Sequence, residues 1–366
     1  MFPIMGFDVA DAQHDIVHVD AGTGADGDDG STYALAKLTI AGALAVVPDG
    51  GTIIIWPGTY AENVDLDTAG KAVNLVGTNP YACKIDNSAN GDNDEAVTME
   101  NGCGLYNLWL EGGDGKNAIV GTTKKMCRIS NCWIQSNEAV DNTCHGIQLG
   151  GTGWLVENCY ISALSRGVNV VGGNGCIFKG CFISVVNTGG GSQLTDHYCV
   201  NTNGGVQFID CHFKLDQGTG EITDARDYYV AKCSGFASFT RCSMEGSVVV
   251  TGTSNGNYAV LFNSAEDGPV LLKDCILAED FAAVGATEYD ILDDNAACVT
   301  VTRGTRVAVN SITGTLDRLT DADGKVHASD LDRVGGETPE SHNTAVPANA
   351  TAGSINALVR TAASNR

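Results

Sequence analysis

The chain is poor in positive charge. Its 366 residues include 21 Lys and Arg against 44 Asp and Glu, which gives a formal net charge of −23 at pH 7. Such a surplus repels nucleic acid phosphates and anionic lipid surfaces. No apolar run reaches the roughly 18 residues that a membrane helix needs. We therefore expect neither a nucleic acid partner nor membrane insertion.

Proline is scarce, and other signals are missing. There are only 7 prolines, and the 46 glycines follow no three-residue period, which excludes collagen and proline-rich disorder. Residues 1–15 have no basic segment or apolar run of signal-peptide type, so we expect no export by that route. The 14 cysteines are spread along the chain. We expect most of them to be reduced.

A nine-residue pattern returns through the middle of the sequence, in segments such as CRISNCWIQ, WLVENCYIS and CIFKGCFIS. The repeats align on one column of small apolar residues: Leu108, Cys132, Cys159, Cys181, Cys211, Cys242 and Cys275. Successive members are 24, 27, 22, 30, 31 and 33 residues apart. A constant core with variable spacing is typical of a solenoid whose loops differ in length.

A second family of short apolar segments alternates with the first, around Ile119, Ile147, Val168, Val200, Val230 and Val260. Both families alternate apolar and polar residues and are bounded by Gly, Asn, Asp or Ser, which predicts strands. A turn of 22 residues is too short for two helices but holds two or three strands. We therefore predict an all-β fold, a right-handed parallel β-helix, with an N-terminal capping helix and a non-solenoid C-terminal extension.

The repeated cysteines are interpreted as an inward column that packs on itself from turn to turn. Metal binding or disulfide formation is the alternative, but the column lacks the C-x-x-C pairing of a zinc site. Free cysteine is among the most buried residue types. The residues just before the cysteines are mostly turn formers, which predicts a bend at each of these positions: Asn131, Asn158, Gly180, Asp210, Arg241 and Asp274.

An open stack of strands needs covered ends. Residues 31–47 have helical periodicity, with Ser31 as N-cap and with Leu35, Leu38, Ala41 and Ala45 on one face. We divide the chain into an N-terminal arm (1–30), a capping helix with the β-helix (31–310), and a C-terminal hairpin and tail (311–366) for assembly or attachment.

The segment GGTIIIWPGTYAENV carries a family resemblance through seven residues: Pro57, Gly58, Thr59, Tyr60, Glu62, Asn63 and Val64. Together with the preceding helix, it resembles the opening of the pectate-lyase-like and pectinesterase-like right-handed parallel β-helix superfamily. That superfamily is also found in phage tailspike and capsid decoration proteins. The resemblance covers about 50 residues closely and the repeats loosely, and it implies the fold rather than a chemistry.

Catalysis of the pectinesterase kind would need paired aspartates with an arginine and glutamines on one face. The family segments Gln-Asp-Thr and Gly-Thr-Val-Asp-Phe are absent. The weak catalytic candidates are Glu138, Asp141 and His145 in NEAVDNTCHGIQL. The alternative is a polar loop that ends at the start of a strand.

Calcium is the one cofactor that the acidic segments suggest. DAGTGADGDDGS offers Asp20, Asp26, Asp28 and Asp29 as weak candidate ligands. It lacks the glutamate at the twelfth position of an EF-hand loop, so a solvated turn is the favoured alternative. A hairpin turn likewise explains Asp321 and Asp323 in TDADGK.

Tryptophans at the strand starts are candidates for a contact surface. Trp109 and Trp133 directly follow column residues, so side-chain alternation predicts that they face outward in adjacent turns. Trp154 is a third candidate. An outward tryptophan pair indicates either a sugar-binding platform or, as we favour, a protein contact surface.

These features predict a non-catalytic structural virion protein of a bacteriophage, of the capsid decoration or tailspike and fibre type. It would form a homo-oligomer, a trimer, attached to capsid or tail proteins. Synthesis in the host cytoplasm would reconcile this fold with many free thiols. The alternatives are a polysaccharide-active enzyme (lyase, esterase or hydrolase) and an extracellular adhesin that binds cell-surface glycans.

Overall fold

The computed structural model describes residues 15–89, 94–113, 115–136, 144–187, 196–217, 227–250, 257–263, 270–283, 287–293, 299–301, 305–307 and 312–313. Most of the predicted N-terminal arm and C-terminal extension lies outside these residues, with Asp321 and Asp323. Glu138 and Asp141 also lie outside them. The chain forms two compact units, residues 1–163 and 164–366.

The first unit contains three parallel sheets, named A, B and C here. Sheet A contains β1 (Ile16–Val19), β2 (Thr52–Ile55), β5 (Asn74–Gly77), β8 (Gly104–Tyr106), β11 (Arg128–Ser130) and β14 (Leu155–Glu157). Sheet B contains β3 (Gly58–Tyr60), β6 (Cys83–Asp86), β9 (Trp109–Glu111), β12 (Trp133–Gln135) and β15 (Tyr160–Ala163). Sheet C contains β4 (Val64–Asp65), β7 (Val97–Thr98), β10 (Ile119–Gly121) and β13 (His145–Thr152).

The second unit repeats this order. Its own three sheets carry the same letters, and its long strands β16 (Arg166–Lys179) and β18 (His197–Ile209) run through sheets C and A of this unit. Sheet C continues with β20 (Tyr228–Cys233), β23 (Asn257–Asn263), β26 (Thr287–Asp293) and β29 (Ile312–Thr313), and sheet A with β21 (Ala237–Thr240), β24 (Val270–Lys273) and β27 (Val299–Val301). Sheet B contains β17 (Phe182–Asn187), β19 (His212–Gln217), β22 (Ser243–Val250), β25 (Ile276–Ala283) and β28 (Arg306–Val307).

In each unit the chain visits the sheets in turn, and each strand pairs in parallel with its equivalent one turn later. This is the arrangement of a parallel β-helix, so the predicted fold class is confirmed. Both strand families of the sequence are present: the nine-residue pattern spans a strand of sheet A, a bend and a strand of sheet B, and the second family forms sheet C. No helix in the described part of the chain is long and apolar enough to cross a bilayer.

The bend between sheets A and B depends on a left-handed backbone. The residue before each column position has a φ between 52° and 62°: Asn107, Asn131, Asn158, Gly180, Asp210, Arg241 and Asp274. In five of them the N–H group continues the ladder to the next turn, as from Asn131 to the Glu157 carbonyl (3.1 Å): Asn107, Asn131, Gly180, Asp210 and Arg241. The predicted bends are confirmed.

The predicted capping helix is wrong in its start and in its buried face. Helix α1 spans Ile40–Val46 and buries Ile40 and Ala43, whereas Leu35 and Leu38 are exposed. Tyr33–Leu35 is a short 3-10 turn. The backbone at Lys37 pairs instead with β1, since its N–H donates to the His18 carbonyl and its carbonyl accepts from Asp20. This pairing covers the edge strand and overrides the helical periodicity.

The motif that carries the family resemblance holds these terminal elements together. The Tyr60 hydroxyl is 3.1 Å and 2.8 Å from the carbonyls of Val19 and Trp56. The Glu62 carboxylate accepts from the N–H groups of Ile40 and Ala41, both at 2.9 Å, at the first turn of α1. A second short helix, α2 (Leu66–Ala69), follows β4. The motif therefore has a structural role in this chain.

Candidate functional site

The outward side of sheet B in the first unit carries the most distinctive group of side chains. Alternation buries Ile85, Leu110 and Ile134 completely. It places two columns on the outer side of the sheet: Lys84, Trp109, Trp133 and Tyr160 in one, and Asp86, Glu111, Gln135 and Ser162 in the other. In the second column, Asp86 and Glu111 are only 7% and 8% exposed. We call these two columns, with Tyr81, the aromatic–acidic face.

Aromatic rings pack on one another along the first column. The ring centroids of Trp109 and Trp133 are 5.7 Å apart, and those of Trp133 and Tyr160 are 4.7 Å apart. Tyr81, which is 71% exposed, meets Trp133 edge-on at 6.2 Å. Much of each tryptophan face is thus covered by a neighbouring ring, which leaves less of it for stacking on a sugar. Within the described residues, neither indole N–H has a hydrogen-bond acceptor.

One cation joins two carboxylates beside this column. The Lys84 Nζ is 2.6 Å from both Asp86 Oδ2 and Glu111 Oε2, and it lies 4.7 Å from the centre of the Trp109 ring. Burial alone would lower the pKa of the Lys84 ammonium, but its hydrogen bonds to the two carboxylates outweigh burial and raise that pKa. Ser88 donates to the other oxygen of Asp86 at 2.5 Å. The cluster offers charged and hydrogen-bonding groups next to aromatic surface.

The tryptophan candidates separate into two environments. The prediction that Trp109 and Trp133 face outward in adjacent turns is confirmed. Trp154 is 1% exposed, and its indole N–H donates to the carbonyls of Lys124 (2.8 Å) and Gly150 (2.7 Å). Trp154 therefore belongs to the interior of the first unit.

Of the weak catalytic candidates, only His145 lies in the described residues. It is 4% exposed at the start of β13. Its Nδ1 is 3.1 Å from Asn117 Oδ1, which also accepts the His145 backbone N–H at 2.8 Å. The imidazole is therefore buried and hydrogen-bonded to Asn117.

The weak calcium candidates hold turns in place. Asp20 accepts from the Gly22 N–H (2.8 Å), which lowers the pKa of its carboxyl. Asp26 accepts from the N–H groups of Leu38 (3.0 Å) and Thr39 (2.9 Å), and Asp29 accepts from Ser31 (2.9 Å). The N–H of Asp28 donates to Ala25. In the described ranges, no group of three or more His, Cys, Asp or Glu side chains could hold a metal ion.

The column residues of the nine-residue pattern lie inside each unit and directly precede the strands of sheet B. Each is at most 2% exposed: Leu108, Cys132 and Cys159 in the first unit, and Cys181, Cys211, Cys242 and Cys275 in the second. The thiols donate to backbone carbonyls, as from Cys211 to Phe178 (3.5 Å) and Ile209 (3.4 Å). All the described cysteines are free and buried.

Sequence reasoning missed the column of Asp86, Glu111 and Gln135. A signal for it exists. Glu111 and Gln135 lie three positions after the column residues Leu108 and Cys132, in LWLE and CWIQ, and Asp86 lies three positions after Cys83, which precedes Lys84 as Leu108 precedes Trp109. Reading that position down the repeats would have placed two carboxylates and an amide side by side.

No protein-family model and no curated protein matches the chain. Its fold is similar to solved pectin-active enzymes. One is a pectin methylesterase in complex with a hexasaccharide (12% identity, TM-score 0.44, covering 63% of this chain and 78% of that one). Others are carrot pectin methylesterase (12%, 0.42, 80% and 90%) and pectate lyase Pel9A (12%, 0.41, 69% and 76%). The parallel register described above, rather than these similarities, defines the chain as a parallel β-helix protein.

Proposed function

We propose that the chain is a structural protein of a bacteriophage virion, of the capsid decoration or tailspike and fibre type. It would form a homotrimer attached to capsid or tail proteins. The observation that carries the proposal is the set of 13 free, buried cysteines in the described residues. A protein with so many reduced thiols suits synthesis in a reducing cytoplasm, and a virion protein reaches the outside by assembly and lysis.

The aromatic–acidic face supports a contact role. Tyr and Trp are enriched in protein interfaces, and exposed aromatic patches are typical of interaction sites. Here Tyr81 and Tyr160 are exposed and two tryptophans lie between them and Lys84. The tryptophan ring faces pack on neighbouring rings, so mainly the ring edges remain for contact with a partner. Ring edges can pack against an apolar protein surface, whereas sugar binding needs a free ring face.

The test is incorporation into purified particles. We expect the full chain to be recovered in stoichiometric amount by mass analysis of virions. Trp133→Ala should lower its incorporation at least several-fold, whereas Tyr33→Ala, at an exposed aromatic residue outside the face, should not. Failure to find the chain in particles would overturn the proposal. Equal incorporation of the two variants would remove the aromatic–acidic face from it.

A polysaccharide-active enzyme is the second candidate, favoured by the adjacent Asp86 and Glu111 carboxylates. Both contact one Lys84 Nζ at 2.6 Å, which holds the two carboxylates side by side on the same face, and paired carboxylates are the groups that glycoside hydrolysis uses. Incubation with acidic polysaccharides distinguishes the candidates. Release of reducing or unsaturated ends that Glu111→Gln abolishes would establish polysaccharide cleavage at this face and reject the contact role proposed for it.

A further inference from the structure

A second outward column lies on sheet B of the second unit. Parallel pairing brings Phe182, His212, Ser243 and Ile276 into register on successive strands. The hydroxyl of Ser243 is half-buried, and Ile276 beside it is 49% exposed. This column is a different cluster from the aromatic–acidic face of the first unit.

His212 contacts three side chains with different roles. Its Nδ1 is hydrogen-bonded to the Ser243 hydroxyl, and its Nε2 is 3.8 Å from Glu245 Oε2. The Phe182 ring stacks on the imidazole with centroids 4.7 Å apart and planes 24° apart. Stacking fixes the plane of the imidazole, and the carboxylate favours the tautomer with its proton on Nε2. In that tautomer, Nδ1 is free to accept the serine proton.

A hydroxyl bonded to an imidazole that a carboxylate orients is the arrangement of an activated nucleophile. We propose that Ser243 is a nucleophilic serine toward small acyl esters, with His212 as its general base and Glu245 as a positioning residue. Ser243 Oγ forms a bond to the acyl carbon while its proton moves to His212 Nδ1. The ester C–O bond then breaks, and the leaving alcohol takes that proton. Water releases the acyl group by the same steps and restores Ser243.

The surroundings define the substrate class. Ile276 offers an apolar wall to a short acyl chain next to the hydroxyl. Lys214 lies outward on the strand of His212, two residues further along, and forms an ion pair with Asp216 at 3.0 Å. This cation lies in register with Glu245 on the neighbouring strand, so its charge is already shared between carboxylates. An uncharged ester with a small acyl group fits these features.

The test is covalent labelling of the full chain with a fluorophosphonate, located by mass spectrometry. We expect one adduct, at Ser243, that is lost in Ser243→Ala and kept in Ser247→Ala, a matched outward serine on the same strand. His212→Gln should slow labelling by roughly 100-fold or more, the usual contribution of a general base. p-Nitrophenyl acetate hydrolysis should follow the same order.

Glu245→Gln separates positioning from structural support. We expect slower labelling together with a change in the His212 tautomer, read from its imidazole nitrogen NMR shifts, at an unchanged thermal unfolding midpoint. A wild-type chain that takes no label, or one that labels as fast as His212→Gln, overturns the proposal. These outcomes do not depend on the virion role.

Discussion

At the scale of single residues, the bend between sheets A and B sets the strictest requirement. Seven of these bends, from Asn107 to Asp274, need one residue with a left-handed backbone, a conformation that costs most L-residues about 1–2 kcal/mol. Asn and Asp tolerate it because their short side chains bond locally, and glycine has no Cβ to clash. Arg241 occupies the same bend at φ 52° and holds its guanidinium against Asp210 at 2.6 Å. That position is therefore strained.

Substitutions at two bends should have opposite effects. Asn131→Ala should lower the free energy of unfolding by about 1 kcal/mol, because alanine carries the steric cost without the local hydrogen bonds. Arg241→Gly should raise the unfolding midpoint, since an exposed ion pair contributes little. Denaturant titration of both variants and of the control Asn131→Gly, which should stay near wild type, measures this. A lower midpoint for Arg241→Gly would contradict the strain argument.

At the scale of elements, the sequence predicts the strands, because their pattern repeats. It does not predict features that depend on pairing between residues distant in sequence. Sheet positions could be predicted because apolar alternation returns in every turn. The helix start could not, because Lys37 pairs with β1, and that strand is distant in sequence. Asp86 and Glu111 were missed for a related reason: 25 residues separate them, and only the parallel register makes them neighbours.

Packing within the second unit gives a prediction at this scale. Phe178, Phe208 and Phe239 stack inward from successive turns, with centroids 5.0 Å and 4.9 Å apart, and Phe213 packs edge-on at 5.3 Å. Phe208→Ala removes the middle ring and should lower the free energy of unfolding by about 3–5 kcal/mol. Phe208→Leu should cost clearly less, since it leaves a smaller cavity. Equal losses in chemical denaturation would contradict the cavity argument and assign the cost to removal of the aromatic ring itself.

At the scale of the whole molecule, the excess of carboxylates that gives the net charge of −23 makes the free energy of unfolding depend on pH in the acidic range. Glu100 is a carboxylate whose ionised form stabilises the folded state. Hydrogen bonds from the Asn101 N–H and the Lys124 ammonium lower its pKa from 4.5 to about 2. A depressed folded-state pKa contributes stability that is present above pH 4.5 and is lost as the pH falls toward 2. Protonation elsewhere also relieves charge repulsion, so a variant is needed to isolate this carboxylate.

Glu100→Gln should therefore lower the thermal midpoint at pH 7. Between pH 4.5 and about 2 its midpoint should fall less steeply than that of wild type. Differential scanning calorimetry at several pH values checks both. Asp49→Asn serves as the matched carboxylate control. Parallel curves for wild type and Glu100→Gln across this window would exclude a stabilising role for the ionised Glu100 side chain.

The buried thiols link the fold to the compartment in which it forms. Burial raises the pKa of Cys127 and Cys233 to about 12, and that of Cys199 still further, so these groups stay protonated and shielded at neutral pH. The thiol reagent 5,5′-dithiobis(2-nitrobenzoic acid) should react with none of the 13 described cysteines in the native chain and with all of them after denaturation. Cys298 lies outside the described residues, and Cys298→Ser removes its contribution. Because reaction must wait for the turns to open, labelling should accelerate with denaturant in step with unfolding. Several fast-reacting thiols in the native Cys298→Ser chain would mean that the columns are open to solvent, and the argument for maturation in a reducing cytoplasm would lose its basis.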